Sequence, residues 1–261
     1  MPSVSESGCT VHYTAIGSGP GLVFIHGTGA TGNSNWGHLA NSFTDQRTVI
    51  LPDYSGSGAT TDPGGALTIE LLARQVSAVA RAAAAGPVDL VGFSLGAEVA
   101  AALAALEPGL IRRLVLVAGW PDSADARLQL GIKLWLKLYE TNPSGFSELS
   151  TLLGFSPPFL KKIGPAGVAF LARWQPESGI RRQLLLDLKI DLRSLLPQII
   201  APALVIGCTQ DQLVPVHNAV ALHEAIPGSR YQAFDSGHMV LLEQTEAFTA
   251  TLRNFLFSEN I

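Results

Sequence analysis

Cysteine is scarce in this sequence, and basic residues are fewer than acidic ones. The 261 residues include two cysteines, Cys9 and Cys208, which excludes a disulfide framework and predicts two reduced thiols. The formal net charge is −4 and the isoelectric point is near 5.8. Such a chain has no broad cationic surface, so nucleic acid is not expected as a partner.

Long hydrophobic runs and targeting signals are also missing. The most apolar stretch, residues 90–106, is interrupted by Ser94 and Glu98 and is shorter than the ~20 residues that a membrane span requires. Residues 1–10 contain no basic segment followed by an apolar one, which argues against secretion. We therefore expect a cytoplasmic protein that does not bind membranes. The 47% of hydrophobic residues can bury a sizeable core, which excludes disorder.

Short β-branched runs alternate with longer helical patterns over the first 120 residues. The predicted strands cover residues 11–16, 22–25, 48–51, 88–91 and 114–117, and the predicted helices cover 67–85 and 95–106. This alternation is typical of parallel strands joined by helical crossovers. The strand pattern returns at 203–208 and 230–234, and a helix is predicted over 245–257. The sequence therefore predicts an α/β fold with a mostly parallel sheet.

Residues 121–196 interrupt this alternation with a different pattern. Apolar residues recur there at helical spacing, and several prolines divide the segment, which favours short helices over strands. We therefore predict an α/β core formed by residues 1–120 and 197–261, with residues 121–196 inserted as a helical cap. The cap has more basic than acidic residues. That charge fits solvated helix faces, or the attraction of an anionic substrate or an acyl carrier protein.

A Gly-x-Ser-x-Gly motif lies directly between a predicted strand and a predicted helix. It consists of Gly92, Ser94 and Gly96 with the residues between them. Because the glycines have no side chains, the chain can turn tightly enough to expose the serine hydroxyl above the carboxyl edge of the sheet. An ordinary glycine-rich turn would show the same letters. The position between strand and helix favours Ser94 as a nucleophile.

A serine nucleophile needs a base, and the base needs an acid that orients it. His238 follows the last predicted strand, and Asp211 follows the strand before it. Both therefore fall at the carboxyl edge of the sheet, and we predict a triad of Ser94, Asp211 and His238. Asp122 and Asp125 follow an earlier strand and are alternative candidates for the acid.

Backbone N–H groups beside the serine are needed to stabilise the oxyanion of a tetrahedral intermediate. The strand over residues 22–25 ends in His26 and Gly27, which predicts the N–H of Thr28 as one donor. The N–H of Leu95 is the other predicted donor. His26 is interpreted as a structural residue below this loop. Gly27 and Gly29 are either turn glycines or part of the substrate site.

Taken together, these segments resemble the α/β-hydrolase superfamily, in particular its cap-bearing serine hydrolases such as bacterial esterases, lactonases and carbon–carbon bond hydrolases. The resemblance rests on residues 26–29, 52–58, Ser94, 211–215 and 236–238, and it covers nearly the whole chain. It implies a cap between the sixth and seventh strands. Haloalkane dehalogenases and epoxide hydrolases of this superfamily carry aspartate at the nucleophile position, so Ser94 argues against both.

We therefore expect an enzyme that cleaves an ester or lactone of a medium-sized, largely apolar small molecule, without a cofactor or metal. Gly27, Gly29, Trp135 and Met239 are the expected substrate-binding residues. A thioesterase, an acyl transferase or cyclase, and a carbon–carbon bond hydrolase of secondary metabolism would use the same triad. A ligand receptor with little turnover is an alternative of another class, because a fold alone does not establish catalysis.

Overall fold

The computed structural model describes residues 1–258 as an eight-stranded sheet with helices on both faces. The strands are β1 (Ser3–Glu6), β2 (Cys9–Gly17), β3 (Gly21–Ile25), β4 (Thr48–Asp53), β5 (Val88–Phe93), β6 (Ile111–Val117), β7 (Ala203–Cys208) and β8 (Arg230–Phe234). Their spatial order is β1, β2, β4, β3, β5, β6, β7, β8. β2 pairs antiparallel with β1 and β4, and the other neighbours are parallel. The predicted mostly parallel α/β sheet is confirmed.

The central strands are buried along their whole length because helices cover both faces of the sheet. Every residue of β3, β5 and β7 is buried. The core helices are α1 (Gly32–Ala40), α2 (Ile69–Ala83), α3 (Leu95–Leu106), α8 (His217–Ala225), α9 (Val240–Glu243) and α10 (Thr245–Leu256). Helices α2 and α3 form an apolar core with one face, and α1 and α10 do so with the other.

Several elements differ by one to three residues from the predicted bounds, and one strand lies outside the predicted elements. Helix α2 begins after Thr68, whose side chain accepts the N–H of Leu71, and ends before Ala84, which has an extended backbone. The capping hydroxyl fixes the start of the helix and the extended residue fixes its end. Each end therefore lies two residues inside the predicted range 67–85. Strand β1 was not predicted, because it is short and none of its residues is fully buried. The last three residues of the predicted segment 197–261 lie outside the described residues.

Four helices lie between β6 and β7, within residues 121–196 (the cap, named for its predicted role). They are α4 (Ala126–Thr141), α5 (Pro143–Gly154), α6 (Pro157–Leu171) and α7 (Ile180–Asp187). Asn142 and Ser156 cap α5 and α6 with side-chain oxygens, and a proline in the first turn follows each cap. Such a sequence starts a new helix where the previous one has ended. Helix α6 is interrupted at Gly164, which has a φ of 68°.

An aromatic cluster holds the cap helices together. The buried ring of Phe146 lies 5.7 Å from the rings of Trp135 and Trp174 and 5.9 Å from that of Tyr139, measured between centroids. Aromatic pairs at this spacing add to the stability gained by burying apolar surface. None of the helices within residues 1–258 combines the length and the hydrophobicity needed to cross a membrane.

Candidate active site

The nucleophile candidate Ser94 lies in a strained turn between β5 and α3. Its φ is 53° and its ψ is −129°, a conformation that residues with a side chain rarely adopt. A side chain at Gly92 would overlap the carbonyl oxygen of Gly96, and one at Gly96 would overlap that of Ile25. The Ser94 N–H donates to the carbonyl of Val117 at 2.9 Å. The turn therefore requires both glycines and is tied to the neighbouring strand.

His238 and Asp211 form a buried hydrogen-bonded pair. Nδ1 of His238 lies 2.6 Å from Oδ2 of Asp211, and the exposed fractions of the two side chains are 4% and 1%. Oδ1 of Asp211 accepts the backbone N–H groups of Leu213 and Val214, each at 2.8 Å. Because these two bonds fix the carboxylate, Oδ2 is directed at the imidazole. Ser94 and His238 line the same cavity.

The two alternative acids have other partners. Asp125 caps α4, and its Oδ2 lies 2.8 Å from Nε2 of His217. Asp122 lies 3.7 Å from the guanidinium of Arg193. Of the three candidates, Asp211 is the carboxylate in contact with the predicted base.

Both predicted oxyanion donors lie beside the serine. Within residues 1–258, no acceptor is found for the backbone N–H of Thr28 or for that of Leu95, the first residue of α3. First-turn N–H groups of a helix have no intrahelical partner and bear partial positive charge. A side chain at Gly27 would meet Cβ of Ser94 at 3.2 Å, which shows how closely this loop approaches the serine. Two unused donors next to a nucleophile can stabilise an oxyanion.

A cavity of about 220 Å³ opens above Ser94 between core and cap. Its apolar wall comes mainly from the cap helices and from the loops that carry the Asp–His pair: Leu128, Ile132, Trp135, Phe155, Leu171, Trp174, Leu213, Val214, Met239 and Leu242. Three of the predicted substrate-binding residues, Gly27, Trp135 and Met239, line this cavity.

Gly29, the fourth predicted substrate-binding residue, lies beside the cavity, and its backbone binds the cap. Its N–H donates to Oε1 of Gln183 at 2.7 Å, and its carbonyl accepts the N–H of Glu177 at 3.0 Å. Its φ is 72°, and a side chain there would meet the Ile180 side chain at 2.5 Å. Glycine is therefore required at position 29 for its backbone conformation and for the close approach of α7.

His26, interpreted from the sequence as a structural residue, packs on Tyr54 before the loop of residues 27–29. Its ring stacks on Tyr54 with centroids 3.9 Å apart, and the Tyr54 hydroxyl donates to the His26 carbonyl at 2.8 Å. Complete burial lowers the pKa of His26 from 6.5 to about 4. The imidazole is therefore neutral at neutral pH and packs as an aromatic ring.

Two carboxyl groups near the site were missed in the sequence. Asp187, at the end of α7, lines the cavity, and its Oδ2 accepts the Thr28 hydroxyl at 2.8 Å. Burial raises its pKa from 3.8 to about 7. Glu243 joins the loop of the predicted base to the cap, because its carboxylate accepts the N–H of Gly237 at 3.2 Å and both the N–H and the hydroxyl of Ser156 at 2.6 Å. Neither residue belongs to a short motif, so only their contacts reveal them.

The strained serine, the buried Asp–His pair and the unused N–H groups at one edge of a parallel sheet define an α/β-hydrolase. The profile of the alpha/beta hydrolase family matches residues 22–251, and the chain belongs to this family. The resemblance stated from the sequence motifs is thus confirmed.

Three known proteins illustrate the similarity. The pyrrolizixenacetamide deacetylase of Xenorhabdus hominickii is 42% identical, with 100% of both chains covered. The pimeloyl-acyl-carrier-protein methyl ester esterase of Vibrio campbellii is 29% identical over 94% of this chain and 98% of the relative. The enol-lactonase of Burkholderia xenovorans LB400 has a similar structure, with a TM-score of 0.87 at 24% identity and coverage of 98% and 100% of the two chains.

Proposed function

We propose that this protein is a serine hydrolase that cleaves an ester or lactone of a medium-sized, largely apolar small molecule through an acyl-enzyme at Ser94. One observation carries the proposal. The buried His238–Asp211 hydrogen bond of 2.6 Å lies at the same cavity as a serine in a strained turn. A base held by a fixed carboxylate at the same cavity as a serine hydroxyl is the arrangement that activates serine as a nucleophile.

In this mechanism, Ser94 Oγ attacks the substrate carbonyl carbon while His238 Nε2 takes the hydroxyl proton. Asp211 holds the imidazole with Nδ1 protonated and stabilises the imidazolium that forms. The N–H groups of Thr28 and Leu95 donate to the developing oxyanion. The intermediate then collapses, the leaving oxygen takes the proton from His238, and an acyl-enzyme remains. Water activated by the same base releases the acid.

The cavity supports the choice of substrate class. Its wall is mainly apolar, with a few polar groups near Ser94, as in sites that bind small apolar ligands. Burial of each additional substrate methylene is worth about 0.8 kcal/mol. Such a wall favours apolar acyl or alcohol groups and disfavours large charged substrates such as peptides.

Hydrolysis of an amide, with release of an acyl group from nitrogen, is a second candidate. The support for this candidate is the similarity of the chain to the deacetylase of Xenorhabdus hominickii, which is 42% identical over the whole chain. The same residues would act, with His238 delivering its proton to the leaving amine. A 4-nitroanilide and a 4-nitrophenyl ester with the same acyl group separate the two candidates by their relative kcat/KM.

The proposal is tested by hydrolysis of 4-nitrophenyl butyrate. Ser94→Ala and His238→Ala should each lower kcat by about 10⁴-fold or more, leaving only the contribution of binding and of the oxyanion donors. Ser77→Ala is the control, because it removes a buried hydroxyl that donates to Glu107 outside the cavity. Turnover by Ser94→Ala at the wild-type rate would refute the proposal. Rapid labelling of Ser94 by a fluorophosphonate would support an activated serine, whereas an unlabelled Ser94 would favour the ligand receptor.

A further inference from the structure

Helix α7 of the cap packs directly on the oxyanion loop, residues 27–29. Gln183 Oε1 accepts the Gly29 N–H at 2.7 Å, and Asp187 Oδ2 accepts the Thr28 hydroxyl at 2.8 Å. Residues four apart lie on the same face of a helix. One face of α7 therefore contacts two consecutive loop residues, and one of them carries a proposed oxyanion donor.

The side chain of Gln183 joins the cap to the core through three hydrogen bonds. Its Nε2 donates to the Ser55 carbonyl at 3.2 Å and to the Ser57 hydroxyl at 3.0 Å, both in the loop after β4. The side chain is fully buried. Because the N–H of Glu177 also binds the Gly29 carbonyl at 3.0 Å, both backbone groups of Gly29 are held by the cap.

The core holds the other end of the oxyanion loop. The Gly27 N–H donates to Oδ1 of Asn35 at 2.8 Å, and Asn35 belongs to the core helix α1. Thr28 lies between this attachment and the contact of Gly29 with Gln183, and its own hydroxyl binds Asp187. The direction of its N–H is thus set from both sides, by the core through Gly27 and by the cap through Thr28 and Gly29.

We propose that Gln183 and Asp187 are positioning residues that make the cap helix part of the oxyanion hole. They act through the loop and fix the Thr28 N–H where the oxyanion forms. The inference rests on the proposed function, because an oxyanion hole has a role only if Ser94 attacks a carbonyl. Its physical basis is that a misplacement of about 1 Å can cost about 10²-fold in rate.

Asp187→Leu removes the acceptor for the Thr28 hydroxyl, whereas Asp187→Asn keeps one. With a 4-nitrophenyl ester, Asp187→Leu should lower kcat by about 10–100-fold with KM within about threefold, because the donor acts on the transition state. Asp187→Asn should restore kcat to within about threefold of wild type. Gln183→Leu should behave like Asp187→Leu.

Inhibition by phenylboronic acid provides a second readout. Ser94 Oγ bonds to boron while His238 takes the hydroxyl proton, which gives a tetrahedral anion that resembles the intermediate. Asp187→Leu should weaken this inhibitor by about the same factor as kcat, and Asp187→Asn should not. A variant that merely loosened the fold would change the amount of active protein without changing the inhibition constant.

Arg182→Ala is the matched control on the same helix. Arg182 binds Asp62 at 2.9 and 2.7 Å, so it ties α7 to the core outside the oxyanion loop. Arg182→Ala should change kcat and boronate inhibition by less than about threefold. Equal losses in Arg182→Ala and Asp187→Leu would overturn the proposal, since general docking of the cap would then explain both. Unchanged kcat and inhibition in Asp187→Leu would also overturn it.

Failure of the proposed function is recognised separately, by wild-type turnover in Ser94→Ala. In that case, amide hydrogen exchange at Gly29 decides whether α7 positions the loop. Exchange should accelerate in Asp187→Leu relative to wild type and remain unchanged in Arg182→Ala. Unchanged exchange in Asp187→Leu would overturn the inference.

Discussion

The buried carboxyl of Asp187 should make the protein less stable as the pH rises. Only 2% of this residue is exposed, and its Oδ1 has no hydrogen-bond partner within residues 1–258. Burial disfavours the ionised form and raises the pKa from 3.8 to about 7. Between these two values the folded protein binds more protons than the unfolded chain, so its free energy of unfolding falls with rising pH.

The size of this effect follows from the pKa displacement. A difference of one pKa unit corresponds to about 1.4 kcal/mol, so the change from 3.8 to about 7 corresponds to roughly 4 kcal/mol over the full titration. About 2–3 kcal/mol of this loss of stability occurs between pH 5 and pH 8. Asp187→Asn keeps an acceptor for the Thr28 hydroxyl and cannot ionise. Between pH 5 and pH 8, the free energy of unfolding of this variant should therefore rise by about 2–3 kcal/mol relative to that of wild type.

Urea unfolding of both proteins at several pH values measures this difference directly. Subtracting one curve from the other removes the titrations that the two proteins share. Asp191→Asn is the control, because its hydrogen bonds with Arg193 lower the pKa of Asp191 to about 2. Its stability relative to wild type should be constant from pH 5 to pH 8. A constant difference between Asp187→Asn and wild type over the same range would refute the reasoning.

Two further predictions concern the acid and the substrate. Asp211→Asn should lower kcat by about 10⁴-fold, whereas Asp125→Asn should have less than about a threefold effect, because Asp125 binds His217 instead. The opposite order in a 4-nitrophenyl butyrate assay would identify Asp125 as the acid. For 4-nitrophenyl esters, kcat/KM should rise from acetyl to hexanoyl by up to about fourfold for each methylene that contacts the apolar wall. A steady fall from acetyl upward would show an acyl pocket that is small or polar.

The sequence is informative wherever the chemistry depends on local chain geometry. The turn at Ser94 needs glycines at fixed offsets and a strand directly before it, so it can be read from a few letters. Asp211 follows the buried apolar strand β7, and His238 follows the short edge strand β8, which is mostly exposed. The exits of parallel strands meet at one edge of the sheet. These two side chains could therefore be placed together although 27 positions separate them.

The contribution of the cap could not be read in the same way. The contacts of Asp187 with Thr28 and of Gln183 with Gly29 join residues 159 and 154 positions apart. In the sequence, both polar residues fit the outer face of a short amphipathic helix, and that pattern normally indicates a solvated surface. Only the docking of α7 on the core shows that this face is buried. For the same reason, the contact of the Gly29 backbone with the cap could not be predicted, and its contact with substrate stays a prediction.

Some apolar residues of the cap both pack in its interior and line the cavity. Trp135 and Trp174 both line the cavity and both pack on the ring of Phe146. A side chain that is fixed by the cap core on one side presents a rigid surface to the substrate on the other, which lowers the entropy lost on binding. The shape of the pocket is therefore set by the interior of the cap. A substitution at Phe146, which is not on the cavity wall, should alter substrate preference as well as stability.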